Sequence, residues 1–140
     1  MCLWKRLFSK SELNHALSNF DIIKIAKRIK INNFRGVFMR DTLPKNVNHK
    51  ECLMMNLDSN DNNGTHWVCL YKNDNQKYYF DSYGLDPPIE IIRYLGENIK
   101  CSTFELQKDG HICGHLCLFV LNQLFNGTSF EDIIFSLFKL

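Results

Sequence analysis

The sequence predicts an α+β fold in which a small central mixed sheet is flanked by helices. Short apolar runs separated by polar turns occupy the middle of the chain, and helical periodicity marks its two ends. With 140 residues, of which 45% are hydrophobic, the chain is long enough to bury one core. We therefore expect one domain over residues 1–140, with an N-terminal helical segment (1–30) and a core region (31–140).

Two helices are predicted near the start of the chain. Ser9 and Glu12 have the spacing of a capping box, which favours a short helix through "ELNHALSNF". Asp21 is the predicted cap of a second helix. The apolar face of this helix is expected to consist of Ile22, Ile25, Ala26 and Ile29.

The middle of the chain predicts strands. The segment "NNFRGVFMRDTLP" reads as a short extended piece that ends in a loop, and "ECLMMNLD" as a buried strand followed by the turn "SNDNNG". The strands "HWVCLYK" and "KYYFDSY" follow and are joined by "NDNQ". Beyond them, "DPPIEIIRYLGENI" predicts a helix with a proline in its first turn and an apolar side at Ile89, Ile92 and Leu95. The segment "STFELQ" predicts one more strand.

From Cys113 onward the pattern is helical. One wide apolar face, typical of a helix packed into a core, is formed by Cys113, Leu116, Cys117, Val120, Leu121 and Leu124. Thr128 and Glu131 predict a capped final helix through "FEDIIFSLFKL".

Charge and composition exclude several classes of protein. A net charge of +2 does not by itself imply a nucleic-acid partner, and the basic side of the second helix (Lys24, Lys27, Arg28) is interpreted as a solvated face, with a nucleic-acid contact as the alternative. The start of the sequence has no apolar h-region, so secretion is not expected, and no run is long enough to span a membrane. We therefore expect the six cysteines to be reduced, and the two "NGT" triplets, at Asn63 and Asn126, to be turns.

The residues that predict chemistry lie at three separate places. Cys113 begins the buried helix, where unpaired N–H groups and the positive end of the helix dipole favour a thiolate. If the two middle strands pair as a hairpin, His66 and Asp81 meet at one edge of the sheet. His66 is then the predicted base, Asp81 orients it, and Cys113 is the nucleophile.

Two further residues are predicted to act beside the thiol. Gln107 is the nearest side-chain amide before Cys113, so it and the Cys113 backbone N–H are the predicted oxyanion donors. Gly114 lacks a side chain where a substrate backbone would approach, which predicts a substrate contact.

The elements "GTHW", "YYFDSYG", a glutamine and "CGHLC" occur in an order that resembles the adenovirus-type (adenain-like) cysteine proteases and, more distantly, the SUMO-specific proteases. The segments "FRGVFMRDTLP" and "ECLMMNLDSNDNNGTHW" also look like that family's sequence before its histidine. The resemblance covers roughly residues 20 to 126. It implies an adenain-like fold with the nucleophile at the start of a buried helix, His66 as base, Asp81 as third member of a triad, Gln107 as oxyanion donor, and Trp67 as a wall of the substrate site.

The activity that this resemblance implies is that of a thiol protease cleaving after small, Gly-Gly-like residues, as in the maturation of viral or mobile-element capsid and core precursors. Such an enzyme requires no cofactor for its chemistry, although family members use an activating peptide or DNA. Cys101 resembles the cysteine that links the activating peptide. A monomer in the virion or in the host nucleus or cytoplasm, with a polypeptide substrate and no membrane contact, is expected.

Two other interpretations stay open. The same site would suit a deconjugating protease for a ubiquitin-like protein, and the same fold would suit a catalytically silent module that binds DNA or a protein. The alternation of His111, Cys113, His115 and Cys117 also suggests a zinc site, but helical periodicity turns His115 away from the two cysteines, so no metal is predicted. His111 and His115 are instead interpreted as polar rim or surface residues.

Overall fold

The computed structural model describes residues 3–58, 66–107 and 110–138. These residues form a five-stranded sheet in the order β1-β2-β3-β4-β5. The strands are β1 (Phe34–Met39), β2 (Lys50–Asn56), β3 (Trp67–Asn73), β4 (Gln76–Phe80) and β5 (Lys100–Cys101). The pairs β1–β2 and β4–β5 are parallel, and the other two pairs are antiparallel. The predicted α+β class with a mixed sheet is confirmed.

A 3₁₀ helix and five α-helices surround the sheet within the described part of the chain. They are the 3₁₀ helix Leu3–Leu7 and the α-helices α1 (Lys10–Leu13), α2 (Asn19–Arg28), α3 (Ile89–Leu95), α4 (Cys113–Phe125) and α5 (Phe130–Phe138). Over these same described residues, no helix is both long enough and apolar enough to cross a bilayer.

The predicted β-hairpin is confirmed, but the last strand lies at Lys100–Cys101, before the segment predicted for it. The strands β3 and β4 pair from Asn73↔Gln76 to Cys69↔Phe80, so only two residues form the turn between them. The strand expected in "STFELQ" is wrong, because pairing with β4 stops at Cys101. After that point the N–H groups of Leu106 and Gln107 donate to a loop carbonyl, that of Ser82. The turn predicted around Asn63 lies outside the described residues.

Two helix starts differ from the predictions because a nearby serine provides the cap, and α1 is shorter than predicted. The Ser9–Glu12 capping box is confirmed, but α1 ends after four residues. Ser18, and not Asp21, caps α2, while Asp21 closes the capping box from the third helical position. At the final helix the hydroxyl of Ser129 accepts from the Asp132 N–H, so the predicted cap at Thr128 is also wrong. In each case the serine precedes an acidic residue by three positions.

The sheet separates two apolar cores because side chains alternate along each strand. One face packs against α2, α4, α5 and the 3₁₀ helix through Cys52, Met54, Trp67, Cys69 and Phe80. The other face packs against α3 through Leu53, Met55, Val68, Leu70 and Tyr79. The sheet is therefore a central layer, and the predicted apolar face of α4 lies buried against its larger core.

The apolar face predicted for α3 is wrong in part. Ile91 and Leu95 are buried, whereas Ile89 and Ile92 are 51% and 44% exposed. Pro88 occupies the N-cap position and not the first turn, so the helix begins one residue later than the sequence suggests. Such a short apolar helix has two candidate faces, and the sheet beneath it selects the one that contains Ile91.

Three ring N–H groups hold the N-terminal segment, residues 12–17, against the rest of the molecule. The His115 ring donates to the Glu12 carbonyl over 2.6 Å, the His111 ring to the Leu13 carbonyl over 2.8 Å, and the Trp67 indole to the Leu17 carbonyl over 2.9 Å. The prediction of a surface position is wrong for His115, which is fully buried, while His111 is exposed. Burial lowers the pKa of His115, which keeps the ring neutral.

A buried carboxylate joins the sheet to α3. Glu51 on β2 is 2% exposed and accepts hydrogen bonds from Arg35, over 2.9 Å, and from the Tyr94 hydroxyl. Arg35 also donates to the Asn46 carbonyl over 2.6 Å. Because a buried charge is stable only when it is paired, these contacts fix the position of Tyr94 and thereby of α3.

We expect Glu51→Ala to lower the free energy of unfolding by about 3 kcal/mol, since it leaves Arg35 and Tyr94 without their shared acceptor. Urea denaturation measures this change. Glu131→Ala is the matched control, because Glu131 pairs with Lys100 where both side chains are more than half exposed, and its loss should change stability by less than about 1 kcal/mol. Equal losses in the two variants would contradict the assignment.

Candidate active site

The β-hairpin brings an imidazole and a carboxylate together at its open end. His66 directly precedes β3 and Asp81 directly follows β4. His66 Nε2 lies 2.6 Å from Asp81 Oδ1, and both residues are buried. A hydrogen bond between these atoms places the proton of the neutral ring on Nε2 and leaves Nδ1 as the basic nitrogen.

The sulfur of Cys113 lies against the start of β3. The Trp67 backbone N–H donates to Cys113 Sγ over 3.4 Å, which places the thiol beside the residue that follows His66. Cys113 is also the first residue of α4, where the backbone N–H groups favour a negative charge. His66 Nδ1 is buried and has no aligned hydrogen-bond partner within the described residues. This nitrogen is therefore available to the thiol.

The ring and the thiol change each other's pKa. Burial opposes the thiolate, but the interaction with the His66 ring and the Trp67 N–H outweighs it, so the pKa of Cys113 is lowered. Burial also opposes the charged form of His66 and alone would lower its pKa. The hydrogen bond to Asp81 and the interaction with Cys113 instead raise this pKa to about 9. Both shifts favour an imidazolium–thiolate pair.

The environment of Cys113 differs from that of the other cysteines. The five cysteines within the described residues are free thiols. Burial raises the pKa of Cys52, Cys101 and Cys117, which disfavours their thiolates. Of the described cysteines whose pKa is shifted, Cys113 is the one whose pKa is lowered. It is therefore the best nucleophile among them.

A tight turn, Asp81–Gly84, holds the carboxylate in place. Asp81 Oδ1 accepts a second hydrogen bond, from the Tyr83 backbone N–H over 2.9 Å, and the Gly84 N–H donates to the Asp81 carbonyl over 2.8 Å. The Tyr83 ring stacks on the His66 ring with a centroid separation of 4.3 Å and an interplanar angle of 17°. Tyr83 was not identified from the sequence. The strand periodicity does not extend to it, because the chain turns at Asp81, and its position two residues after Asp81 is the signal that could have indicated it.

The same turn fixes the amide of Gln107. The Ser82 hydroxyl donates to Gln107 Oε1 over 2.6 Å, and Gln107 Nε2 donates to the Gly110 carbonyl over 3.2 Å. A flipped amide would set its oxygen against the Gly110 carbonyl, so these two contacts determine which end carries the N–H groups. The structure thus places the Gln107 donor beside the loop that leads into Cys113, and Ser82 is a further residue that the sequence analysis missed.

Trp67 and Gly114 lie against each other on the side of the site next to the N-terminal segment. Trp67 is 8% exposed, and a Cβ added to Gly114 would lie 3.2 Å from Trp67 Cδ1 and 3.4 Å from Leu17 Cβ. This close packing gives Gly114 a structural reason to lack a side chain. Substrate contacts by Trp67 and Gly114 remain a prediction.

Cys101 lies on β5, and neither Cys113 nor His66 lines the groove beside it. It lines an apolar groove of about 530 Å³ between the segment that includes β5 and helix α5, next to Phe104 and Phe138. A link from Cys101 to an activating peptide remains a prediction. Within the described part of the chain no three metal-binding side chains converge, and the rings of His111 and His115 donate to carbonyls instead.

The fold is similar to that of a viral protease. The crystal structure of the ASFV pS273R protease superposes with a TM-score of 0.65 at 17% sequence identity, covering 94% of this chain and 67% of that chain. The selenomethionine form of the same protease gives a TM-score of 0.63 at 17% identity, covering 94% and 68%. No protein-family profile and no curated protein matches the sequence. At this identity the likeness establishes a shared fold.

Gly84 is expected to be essential for the shape of the turn. Its φ is +73°, and an added Cβ would lie 2.6 Å from the Phe104 carbonyl oxygen, so Gly84→Ala should lower the free energy of unfolding by about 3 kcal/mol. Gly127→Ala is the control, because its φ is +90° but no atom lies within 4 Å of the added Cβ; it should lose only about 1 kcal/mol. Urea midpoints that are equal for the two variants would disprove the steric argument.

Proposed function

We propose that this chain is a cysteine endopeptidase with His66, Asp81 and Cys113 as its catalytic triad. The observation that carries the proposal is the convergence of three separate elements. The start of α4 provides a thiol of lowered pKa, the residue before β3 provides an imidazole, and the residue after β4 provides a carboxylate 2.6 Å from that ring. The shared fold with a viral protease supports the same class of reaction.

The first half of the reaction forms an acyl-enzyme. The Cys113 thiolate attacks the carbonyl carbon of the scissile peptide bond, while the protonated His66 remains hydrogen-bonded to Asp81 through Nε2. As the tetrahedral intermediate collapses, His66 Nδ1 gives its proton to the leaving amine. Because Asp81 also accepts from Tyr83, the carboxylate keeps its orientation as the charge on the ring changes.

The oxyanion of the intermediate requires fixed N–H donors. We assign this role to Gln107 Nε2 and to the backbone N–H of Cys113, which has no intrahelical acceptor at the first position of α4. The hydrogen bond from Ser82 to Gln107 Oε1 supports this assignment, because it fixes which end of the amide carries the N–H groups. In the second half of the reaction, a water molecule activated by His66 hydrolyses the thioester and restores the thiolate.

The deep position of the thiol supports a preference for small residues before the scissile bond. Cys113 is 6% exposed, His66 is 9% exposed, and the Trp67 side chain packs beside them. Bulky side chains next to the scissile carbonyl would collide with this enclosure, whereas glycine would not. Gly-Gly-like sites in a capsid or core precursor, cleaved in a virion or in the host nucleus or cytoplasm, fit both this shape and the resemblance to adenovirus-type enzymes.

Removal of the nucleophile should abolish cleavage. We expect Cys113→Ala to lower kcat/KM by several orders of magnitude on a fluorogenic peptide with Gly-Gly before the scissile bond. Cys52→Ser is the control, since Cys52 is a buried thiol on β2 that donates to the Asn32 carbonyl, and serine preserves that donor. A Cys113→Ala protein that cleaves this peptide at the wild-type rate would refute the proposal.

The pH dependence of kcat/KM should be bell-shaped. Activity should fall on the acid side as the Cys113 thiolate is protonated, and on the alkaline side as His66 loses its proton near its raised pKa of about 9. Asp81→Asn removes the charge that stabilises the imidazolium, so the alkaline limb should move to lower pH. Asp74→Asn, in the turn at the opposite end of the hairpin, should leave both limbs in place. An alkaline limb that does not move in Asp81→Asn would contradict the role of Asp81.

A further inference from the structure

We propose that Tyr83 is a positioning residue that stabilises the protonated form of His66 through the face of its aromatic ring. This inference rests on the proposed function, because it concerns the imidazolium of the catalytic pair. Neither the sequence pattern nor the similarity of fold assigns a role to this residue.

The geometry of the contact is that of a stacked pair. The two ring centroids are 4.3 Å apart and the ring planes differ by 17°. The backbone N–H of Tyr83 donates to Asp81 Oδ1, the same oxygen that lies 2.6 Å from His66 Nε2. Tyr83 therefore contacts the carboxylate through its backbone and the imidazole through its side chain, so the three groups fix one another's positions.

The charge of the ring decides whether this stack is attractive. Two neutral aromatic rings face to face gain little, because their negative faces repel each other. A protonated imidazole is a cation, and the negative face of a tyrosine ring attracts it. The stack therefore stabilises His66 more in its charged form than in its neutral form. That difference is what the ion-pair mechanism requires.

The other groups that face His66 leave this contribution distinguishable. Among the described residues, the titratable groups that interact with the ring are Asp81, from the turn after β4, and Cys113, from the start of α4. Both interact with the ring through their charged or polar atoms. Tyr83 covers the face of the ring, so the removal of its aromatic side chain leaves the Asp81 and Cys113 partners in the site.

A specific pH signature follows from this arrangement. On the acid side of the activity profile, His66 is protonated both before and after Cys113 loses its proton, so the contribution of Tyr83 cancels. On the alkaline side the imidazolium itself is lost, and the contribution does not cancel. Removal of the aromatic face should therefore shift the alkaline limb to lower pH and leave the acid limb in place. A general loosening of the site would reduce kcat without this one-sided shift.

The test is an NMR titration of the Cε1 protons of the chain's five histidines, with the His66 signal identified by its absence in His66→Asn. In Tyr83→Leu we expect the pKa of His66 to fall by about one unit. Tyr83→Phe retains the aromatic face and should restore the wild-type value. The activity profiles of the same proteins should show the corresponding shift of the alkaline limb.

A second replacement separates electrostatics from shape. Trifluorophenylalanine in place of Tyr83 preserves the size and stacking of the ring but removes its negative face, so it should lower the pKa of His66 as Tyr83→Leu does. The inference is overturned if the pKa of His66 is unchanged in the trifluorophenylalanine protein, or if it falls in Tyr83→Phe by as much as in Tyr83→Leu. The titration needs no substrate. A wild-type protein that cleaves no peptide therefore refutes the proposed function, whereas the role of Tyr83 is decided by the NMR titration alone.

Discussion

The hydrogen bond between Asp81 and His66 is the interaction on which the rest of the site depends. Its two residues lie at the open end of a hairpin whose other end is closed by a two-residue turn. That turn fixes the register of the two strands. A slip of one residue would turn every side chain of one strand to the opposite face of the sheet. The position of the imidazole is therefore set by the pairing of two strands, and α4 needs only to bring its first residue to the ring.

The four residues after β4 connect two parts of the site that have different tasks. Asp81 and Tyr83 contact the imidazole, while Ser82 contacts the amide of Gln107 through its hydroxyl and the backbone of Gln107 through its carbonyl. Gly84 permits the chain to turn against the backbone of Phe104. In the proposed mechanism, one short segment would thus position both proton transfer and oxyanion binding, so the geometry of one would constrain the geometry of the other.

The features that the sequence predicts correctly are those that local patterns determine. The Ser9–Glu12 capping box, the β3–β4 hairpin and the apolar periodicity of α4 each depend on residues close together in the chain. Two of the wrong predictions depend on distant partners. The sheet selects Ile91 over Ile89 as the buried residue of α3, and the Glu12 carbonyl, far away in sequence, makes burial of His115 favourable. Tyr83 was missed because a stacked ring leaves no periodic signal.

The attachment of residues 12–17 to His111, His115 and Trp67 has a consequence for how the site is assembled. The hydrogen bonds from the two histidines join positions about 100 residues apart, and His111 and His115 lie on either side of Cys113 in the chain. Contacts of such sequence separation carry the entropy cost of closing the long loop between them. A nascent or locally unfolded chain therefore lacks a braced thiol, and the competence of the site reports on the integrity of the whole domain.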